Sequence, residues 1–482
     1  MPLINQAIVG ASWLSLFKLV SQAISWTATI LVARLLSSAD YGLMEMATIF
    51  TGYIGFFVEF GIGTALINKD SINKQELSSV FWFLIAWGLI LAAACLGLAP
   101  VTAQFFAEPR LLPLTAAVGI LFIISSATIV PRSILHRELR FKEVGIIEVI
   151  NIIIASVTMI ICAYLGAGPW TLLAGHIARE VSNLTLLTIR TRFIPLVQFS
   201  LSQIASLLHF GAPVALSTSL YYIYTKSDRF FGGRSFGAEE LGYYAVGLQL
   251  AAIPVEKIVS LLQSVLYPTL SKLKHKPEYF NEVYLGFVSA LALITFPLFI
   301  GGVQVAPEAV IVILGEKWQA SILPLQILLI SQLIMTLSAP NGLIHAARGK
   351  PKWNLIFNLA LTPTLVIAFY FSAKQPLIYQ LAIPWITVYP VFQIAYIIIT
   401  NRELKITGFD YLSRITHPLI ACSLMSVSIW LVSYLFFQSD NRDNLLYLGV
   451  TIITGALVYG IYFLTLGRGL VSSLKKLKDM DL

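Results

Sequence analysis

The chain is built from apolar blocks of about twenty residues, the length that a helix needs to cross a hydrocarbon core of roughly 30 Å. These blocks recur along all 482 residues and are separated by short polar connections. A soluble protein would show amphipathic stripes instead, and roughly twice the charged fraction of 12% found here. The sequence therefore predicts an all-α polytopic membrane protein with about fourteen transmembrane helices.

The basic residues lie mostly on one side of these predicted spans. With the N-terminus inside, the cytoplasmic connections and the tail hold 21 Lys and Arg residues, and the outer connections hold 8. This asymmetry follows the positive-inside rule and predicts that both termini face the cytoplasm. Topology and contact with anionic membrane lipids then account for the net charge of +8, and nucleic acid is not expected as a partner.

Two short motifs recur at a separation of six predicted spans. Residues 33–42 read ARLLSSADYG, and residues 233–242 read GRSFGAEELG at an offset of 200. A second pair, PRSILH at 131–136 and PNGLIH at 340–345, recurs at an offset of 209. Because six is an even number of spans, the two copies would insert in the same orientation, as in transporters with parallel repeats.

The duplication divides the chain into three predicted parts. We expect an N-terminal lobe of six spans over residues 1–200 and a C-terminal lobe of six spans over residues 201–404. Residues 405–482 hold two further spans and a basic cytoplasmic tail. Composition and periodicity alone thus indicate a duplicated multi-span transporter.

The motif at 33–42 resembles the first connection of the polysaccharide transporter family, the Wzx-type flippases. The stretch DRFFGGRSFG at 228–237, followed by LGY at 241–243, is similar to the same family. The likeness is greatest to the colanic acid and teichuronic acid exporters, which share a superfamily with the MATE and MurJ transporters. It extends over the whole chain.

The resemblance implies a MATE-like fold of two six-helix lobes plus two C-terminal helices. It also implies translocation of an undecaprenyl-diphosphate-linked oligosaccharide across the bacterial cytoplasmic (inner) membrane, for exopolysaccharide, O-antigen or teichuronic-acid-type polymer synthesis. The partners implied are this lipid-linked oligosaccharide, membrane lipids, and the polysaccharide polymerase and chain-length proteins. No cofactor is implied.

Two alternatives remain open at the level of sequence. A MATE-like cation-coupled antiporter of small organic molecules would share the fold, but it would favour an acidic and aromatic cavity over the Lys and Arg found in these spans. A membrane polysaccharide polymerase or ligase would carry a large periplasmic loop, whereas the outer connections here are short. The chain also has no GxxxxGK[ST] motif and no common hydrolase motif, so we expect no enzyme activity.

Polar residues inside the spans are functional candidates, because a charge at the bilayer centre costs roughly 2.5–3.5 kcal/mol on insertion scales. The first span carries Lys18, Gln22 and Ser25 on one helical face. At the repeat offset of 200, this stripe corresponds to one that contains Tyr222 and Arg229. We expect both stripes to line one anion-binding chamber between the lobes, although helix–helix contact is the alternative.

Basic residues also cluster in the predicted outer connection after the seventh span, where topology gives no reason for them. Lys226 and Arg229 lie there with Arg234, and such groups bind the oxygens of a diphosphate or an acidic sugar. The alternative is pairing with Asp228 and neighbouring acids. With basic residues of the sixth and eighth spans included, the predicted substrate-binding residues are Lys18, Gln22, Ser25, Arg179, Tyr222, Lys226, Arg229 and Lys257.

Four acidic residues are candidates for ion coupling: Glu45, Glu59, Asp228 and Glu256. Each of the two in the second span, Glu45 and Glu59, is either a cation or proton site or a structural partner of a nearby Lys or Arg. His176 and Glu180 have the i, i+4 spacing of metal ligands, but no third ligand is evident. No metal site is predicted, and Arg179 is expected to pair with Glu180.

Overall fold

The computed structural model describes residues 2–55, 58, 62–69, 72–273, 276–350, 352–436 and 445–469. Within these ranges, side chains are described from Phe17 onward, except at 19, 64–65, 68, 201–218 and most of 256–268. Three predicted functional residues are affected. Glu59 lies outside the described residues, as do the side chains of Glu256 and Lys257.

The described residues form α-helices and two 3-10 segments, without a β-strand among them. The helices up to the middle of the chain are α1 (Pro2–Leu35), α2 (Ser38–Gly55), α3 (Ile62–Asn68), α4 (Lys74–Phe106), α5 (Leu111–Arg137), α6 (Phe141–Tyr164), α7 (Trp170–Thr191) and α8 (Leu201–Leu273). The later helices are α9 (Pro277–Leu314), α10 (Ile322–Ala347), α11 (Lys352–Ser372), α12 (Ile383–Leu404), α13 (Gly408–Phe436) and α14 (Leu445–Thr465).

Nine helical segments of the described chain have the length and hydropathy needed to cross a membrane. In a bilayer every backbone polar group needs a partner within the protein, and a helix supplies these partners along its own length. The predicted all-α polytopic fold is therefore confirmed, and the chain is a multi-pass membrane protein. The helices form two compact units, Met1–Gly242 and Tyr243–Leu482. The proposed duplication boundaries at 200 and 404 stay a prediction.

The predicted outer connection over residues 226–241 is too long, because the chain is helical on both sides of Gly237. Helix α8 runs through this stretch, and Gly237, with φ 79° and ψ −175°, is the non-helical residue at which it changes direction. Only glycine adopts this conformation readily. The charged residues suggested a loop, yet Asp228 is fully buried and Arg229 is mostly buried. Ion pairs within the unit compensate these charges, so the helix continues past the predicted boundary.

The first repeated motif forms the start of α2. The Oγ atom of Ser37 accepts a hydrogen bond from the Asp40 N–H at 3.3 Å, and Asp40 Oδ2 accepts one from the Ser37 N–H at 2.9 Å. This reciprocal pair is a capping box, which satisfies backbone donors at a helix start. In the second motif Gly237 stands at the position of Ser37, so backbone conformation makes the turn there without a capping side chain.

The final glycines of the two motifs lie in a reciprocal backbone contact. A Cβ atom on Gly42 would lie 1.7 Å from the carbonyl oxygen of Ala238, and one on Gly242 would lie 1.8 Å from that of Ser38. Ser38 and Ala238 are themselves separated by the repeat offset of 200. The two helix starts thus approach so closely that neither glycine position has room for a side chain.

We expect Gly42→Ala and Gly242→Ala each to lower the apparent melting temperature of the purified protein by several degrees. The added methyl group meets a carbonyl oxygen and forces the helices apart, at a cost of about 1–3 kcal/mol or more. Fluorescence-detected melting in detergent would measure the effect. The matched control is Gly97→Ala on α4, where no atom lies within 4 Å of the new Cβ. Equal melting of all three variants would contradict the contact.

Candidate functional site

An ion-pair network joins α2 to the part of α8 before Gly237. Glu45 Oε1 accepts hydrogen bonds from Lys226 Nζ at 2.8 Å and from Arg229 Nη1 at 3.0 Å. Arg229 Nε donates to Asp228 Oδ1 at 3.2 Å. We call these four residues the Glu45 network. Their formal charges sum to zero, which offsets the desolvation cost of placing ions among membrane helices.

Helical spacing explains how α8 presents both basic groups to one carboxylate. Lys226 and Arg229 are three residues apart and therefore lie on the same helical face. Tyr222 lies one turn earlier, and its hydroxyl group donates to the backbone carbonyl of Ile49 at 2.6 Å. The tyrosine is buried, and its hydroxyl approaches Gly52 so closely that a Cβ atom there would lie 2.5 Å from it. Tyr222 thus holds α8 against α2.

The two basic groups of the Glu45 network differ in their number of hydrogen-bond partners and in their exposure. Arg229 also donates to the Thr225 carbonyl, so Glu45, Asp228 and the backbone of its own helix all receive its N–H groups. Lys226 is more exposed, with a quarter of its side chain accessible. An ammonium group has three donors. Lys226 can therefore contact a second anion while it remains hydrogen-bonded to Glu45.

The open question about Glu45 has a structural answer, because this carboxylate is the partner of Lys226 and Arg229. Asp228 pairs with Arg229, which is the alternative that the sequence left open. Neither observation tests ion coupling or substrate binding, so these roles stay predictions. Within the described chain, no group of three or more His, Cys, Asp or Glu residues is arranged to hold a metal ion.

The predicted polar stripe of α1 lies elsewhere in the first unit. Lys18 is exposed and Gln22 and Ser25 are half-buried. Lys18 lies within range of a charge interaction with the His136 ring at the end of α5. By the repeat offset, Lys18 corresponds to residue 218, eleven residues before Arg229, which is about 16 Å along a helix. A chamber that contains both charges would have to extend over a comparable distance.

Arg179 is exposed on α7, and the described contacts include no ion pair between it and Glu180. The expected pairing within the sixth span is therefore wrong. Adjacent residues on a helix point about 100° apart, which directs these two side chains to different surroundings. The neighbouring polar contact on α7 is made instead by Asn183, whose Oδ1 accepts a hydrogen bond from Asn151 Nδ2 on α6 at 3.1 Å.

The sequence analysis missed a polar cavity near the end of α5. This cavity of about 210 Å³ includes Arg132 and His136 in its lining. Both residues belong to the PRSILH motif at 131–136, which lies within α5 because this helix continues to Arg137. Their i, i+4 spacing was the available signal, since it places them on one face once a helix is assumed.

Comparison with known proteins agrees with this architecture. The family described as polysaccharide biosynthesis protein matches residues 31–323. The chain is 25% identical over 482 residues to the teichuronic acid biosynthesis protein TuaB of Bacillus subtilis (strain 168), with 95% of each covered. It is 23% identical over 484 residues to the succinoglycan biosynthesis transport protein ExoT of Rhizobium meliloti (strain 1021), with 99% of this chain and 97% of that protein covered.

The solved structure of the lipid II flippase MurJ in an inward closed conformation has the same fold. Its TM-score is 0.71 at 15% sequence identity, and the match covers 95% of this chain and 99% of that chain. The expected membership of the MATE and MurJ fold class is therefore confirmed. At this level of identity the likeness concerns the fold, and residue roles have to be argued from the contacts of this chain.

We expect Glu45→Gln to destabilise the first unit more than Lys226→Gln does. Loss of the carboxylate leaves two cations uncompensated, whereas loss of Lys226 leaves the Glu45–Arg229 pair in place. In a double-mutant cycle, the two substitutions should show a coupling of about 0.5–3 kcal/mol.

Apparent melting temperatures of the two single variants and the double variant would measure this coupling. The matched control is Glu239→Gln, which removes an exposed carboxylate from the same helix. Additive effects of Glu45→Gln and Lys226→Gln would contradict a direct interaction between the two side chains.

Proposed function

We propose, because this chain belongs to the polysaccharide biosynthesis protein family, that it translocates undecaprenyl-diphosphate-linked oligosaccharide repeat units across the bacterial inner membrane. The cargo would move from the cytoplasmic to the periplasmic leaflet and supply synthesis of an exopolysaccharide, O-antigen or teichuronic-acid-type polymer. The names of TuaB and ExoT, and the fold shared with MurJ, support this choice.

The observation that carries the proposal is the position of Lys226 in the Glu45 network. Its ammonium group is held by Glu45, and it stays partly exposed next to Arg229. A partly buried ammonium group beside a guanidinium group is a suitable binding site for an anion. The diphosphate of a lipid-linked glycan is a suitable ligand, because its oxygens accept the charge-assisted hydrogen bonds that Lys and Arg donate.

Recognition through the diphosphate leaves the sugar less restricted. We therefore propose that the protein accepts a range of glycans that share the undecaprenyl-diphosphate anchor. The proposed substrate-binding residues are those of the α1 and α8 stripes, together with Arg179 and Lys257. Glu45 and Asp228 remain the proposed ion-coupling carboxylates among the described side chains. A proton or cation at Glu45 would release Lys226 for the cargo.

We expect Lys18→Ala and Lys226→Gln each to reduce export at least tenfold while membrane abundance stays normal. Each substitution removes a charge-assisted contact with the diphosphate, worth about 1.5–3 kcal/mol. The measurement is complementation of a flippase-deficient strain, read as accumulation of lipid-linked repeat units. Lys142→Gln on α6 is a control that removes a basic group from an exposed position.

Two further outcomes separate the competing functions. Purified protein should be stabilised against heating by an undecaprenyl-diphosphate sugar and not by the cationic dye ethidium. Stabilisation by the dye alone would favour the drug antiporter. In cells, Glu45→Gln should make export independent of the proton gradient. An unchanged dependence on the gradient would exclude Glu45 as the coupling residue.

We also propose that both termini face the cytoplasm, on the basis of the 21 to 8 distribution of Lys and Arg. Reporter fusions after Leu482 and within residues 437–444 should then give opposite responses, cytoplasmic for the first and periplasmic for the second. A periplasmic response from the C-terminal fusion would reverse the orientation and the predicted direction of transport.

A further inference from the structure

The cavity near the end of α5 lies within the first unit, between α3 and α5, and we call it the Arg132 cavity. Its lining residues are Gly63, Ile67, Thr128, Ile129, Arg132, Ser133 and His136. Its volume of about 210 Å³ compares with roughly 15 Å³ for one water molecule on the same measure. A phosphate group, or a diphosphate, has room in this space.

Among the residues that the structure describes, the charged side chain in the lining of the Arg132 cavity is that of Arg132. Arg132 and His136 lie one turn apart on the lining face of α5, and Lys18 of α1 is within charge-interaction range of His136. Neither Arg132 nor Lys18 forms an ion pair in the part of the chain that the structure describes. Within the described residues, the charges of Arg132 and Lys18 are therefore not neutralised by a carboxylate contact.

Two described acidic residues at this end of the unit pair with other basic residues. Glu76 pairs with Lys69 at the start of α4. Glu143 accepts two hydrogen bonds from Arg140 at 2.7 Å, at the start of α6. Neither carboxylate pairs with Arg132. The arginine can donate up to five N–H groups in a fixed planar arrangement, a geometry that suits phosphate oxygens.

The wall opposite α5 is fixed by backbone contacts. Arg137 Nη1 donates to the carbonyl oxygen of Leu66 at 2.7 Å and also to the carbonyl oxygen of Lys69. These bonds hold the C-terminal end of α3 against the end of α5. The cavity is thus a formed part of the unit, and little ordering free energy is needed when a ligand binds.

The hydroxyl groups of the lining are not the donors of this site. Ser133 Oγ donates to the Ile129 carbonyl at 2.9 Å, and Thr128 Oγ1 donates to the Ser125 carbonyl at 2.7 Å. Each hydroxyl group donates its hydrogen to a carbonyl oxygen of α5. Only its lone pairs remain available, and lone pairs cannot bind an anion. Arg132 and His136, with Lys18 nearby, have to supply the binding.

The second copy of the motif, PNGLIH at 340–345, has different surroundings from the first. In the second unit His345 is fully buried, with Nε2 3.1 Å from Thr400 Oγ1 and Nδ1 3.3 Å from Glu403 Oε2. Asn341 stands at the position of Arg132, and Glu403 also pairs with Lys350. The second histidine has its own carboxylate and no basic residue one turn before it. An anion site is therefore specific to the first copy.

The geometry points to the Arg132 cavity as a phosphate-ester binding site, held by Arg132, His136 and Lys18. This inference rests on the proposed function for its place in transport and deepens it. Chain connectivity puts the end of α5 at the same end of the bundle as the starts of α4 and α6, the predicted cytoplasmic end. The site would receive the diphosphate of the lipid-linked cargo, or an anionic phospholipid headgroup, before the Glu45 network is reached.

Pyrophosphate binding to the purified full-length protein tests the site directly. We expect Arg132→Gln to raise the dissociation constant for pyrophosphate at least tenfold, because a charge-assisted contact is lost. His136→Gln should raise it by a smaller factor. Arg132→Lys should recover part of the affinity, since it keeps the charge without the planar fork. Affinity should also fall as salt is raised, because Arg132 is exposed.

Arg190→Gln is the matched control. Arg190 is an exposed arginine at the same end of the unit, 3.9 Å from Glu143 and outside the cavity lining. If Arg132→Gln and His136→Gln bind pyrophosphate as tightly as Arg190→Gln, the inference is wrong. A lower melting temperature of Arg132→Gln than of Arg190→Gln in the absence of pyrophosphate would also contradict the inference, because it would indicate that Arg132 has a structural role.

Two arms distinguish the sources of the phosphate group. Native mass spectrometry in phosphatidylglycerol nanodiscs should show fewer retained lipids for Arg132→Gln if a phospholipid headgroup occupies the site. Reduced export by this variant with unchanged lipid retention identifies the cargo diphosphate instead. If the wild-type protein fails to export at all while Arg132→Gln still loses pyrophosphate, the proposed function fails and the binding site stands.

Discussion

A charge among membrane helices has to be compensated or used, and this constraint divides the basic residues of the first unit into two kinds. Lys226 and Arg229 are compensated by Glu45, with Asp228 as a further partner of the arginine. Arg132 and Lys18 have no ion pair among the described contacts. The first set keeps α2 and α8 together, and the second set leaves an electropositive cavity open to a ligand.

Features that depend on neighbouring residues could be predicted from the sequence, whereas features that depend on contacts between distant residues could not. Spans are predictable because the bilayer requires helices of about twenty apolar residues, which is a local property of the chain. Side-chain pairing is not local, since Glu45 finds Lys226 at a separation of 181 residues. Without that partner, the charges of residues 226–236 resemble those of a loop, and the helical continuation of α8 was missed.

The same limit explains the errors at individual side chains. Tyr222 was predicted to lie on a polar stripe that lines a chamber, and in the structure its hydroxyl group donates to the backbone of α2. Arg132 follows Pro131, a residue type that often ends or bends a helix. A proline at the last turns of α5 did not end the helix, which continues to Arg137. Helical periodicity in the sequence predicts on which face of a helix a residue lies. It does not predict which residue packs against that face.

The repeated motifs have different physical meanings in the two copies. At the glycines, the copies make one contact together, because Gly42 meets Ala238 and Gly242 meets Ser38. This shared contact requires both glycines, which is a reason for both motifs to persist. At the histidines, each copy has its own surroundings: His345 lies next to Glu403, and no carboxylate contact of His136 is found among the described residues. The two motif copies thus share a glycine contact, while the charged residues around their histidines differ.

The contrast between the Arg132 cavity and the Glu45 network has an electrostatic consequence for a moving anion. At the Arg132 cavity a diphosphate meets positive charge that is not yet paired, so binding gains electrostatic free energy without breaking an ion pair. At the Glu45 network it has to compete with Glu45 for Lys226, and some of the gain is lost to that exchange. Under the proposed function, the cargo diphosphate would therefore bind first at the Arg132 cavity, and the Glu45 network would offer weaker contacts from which it is released more readily.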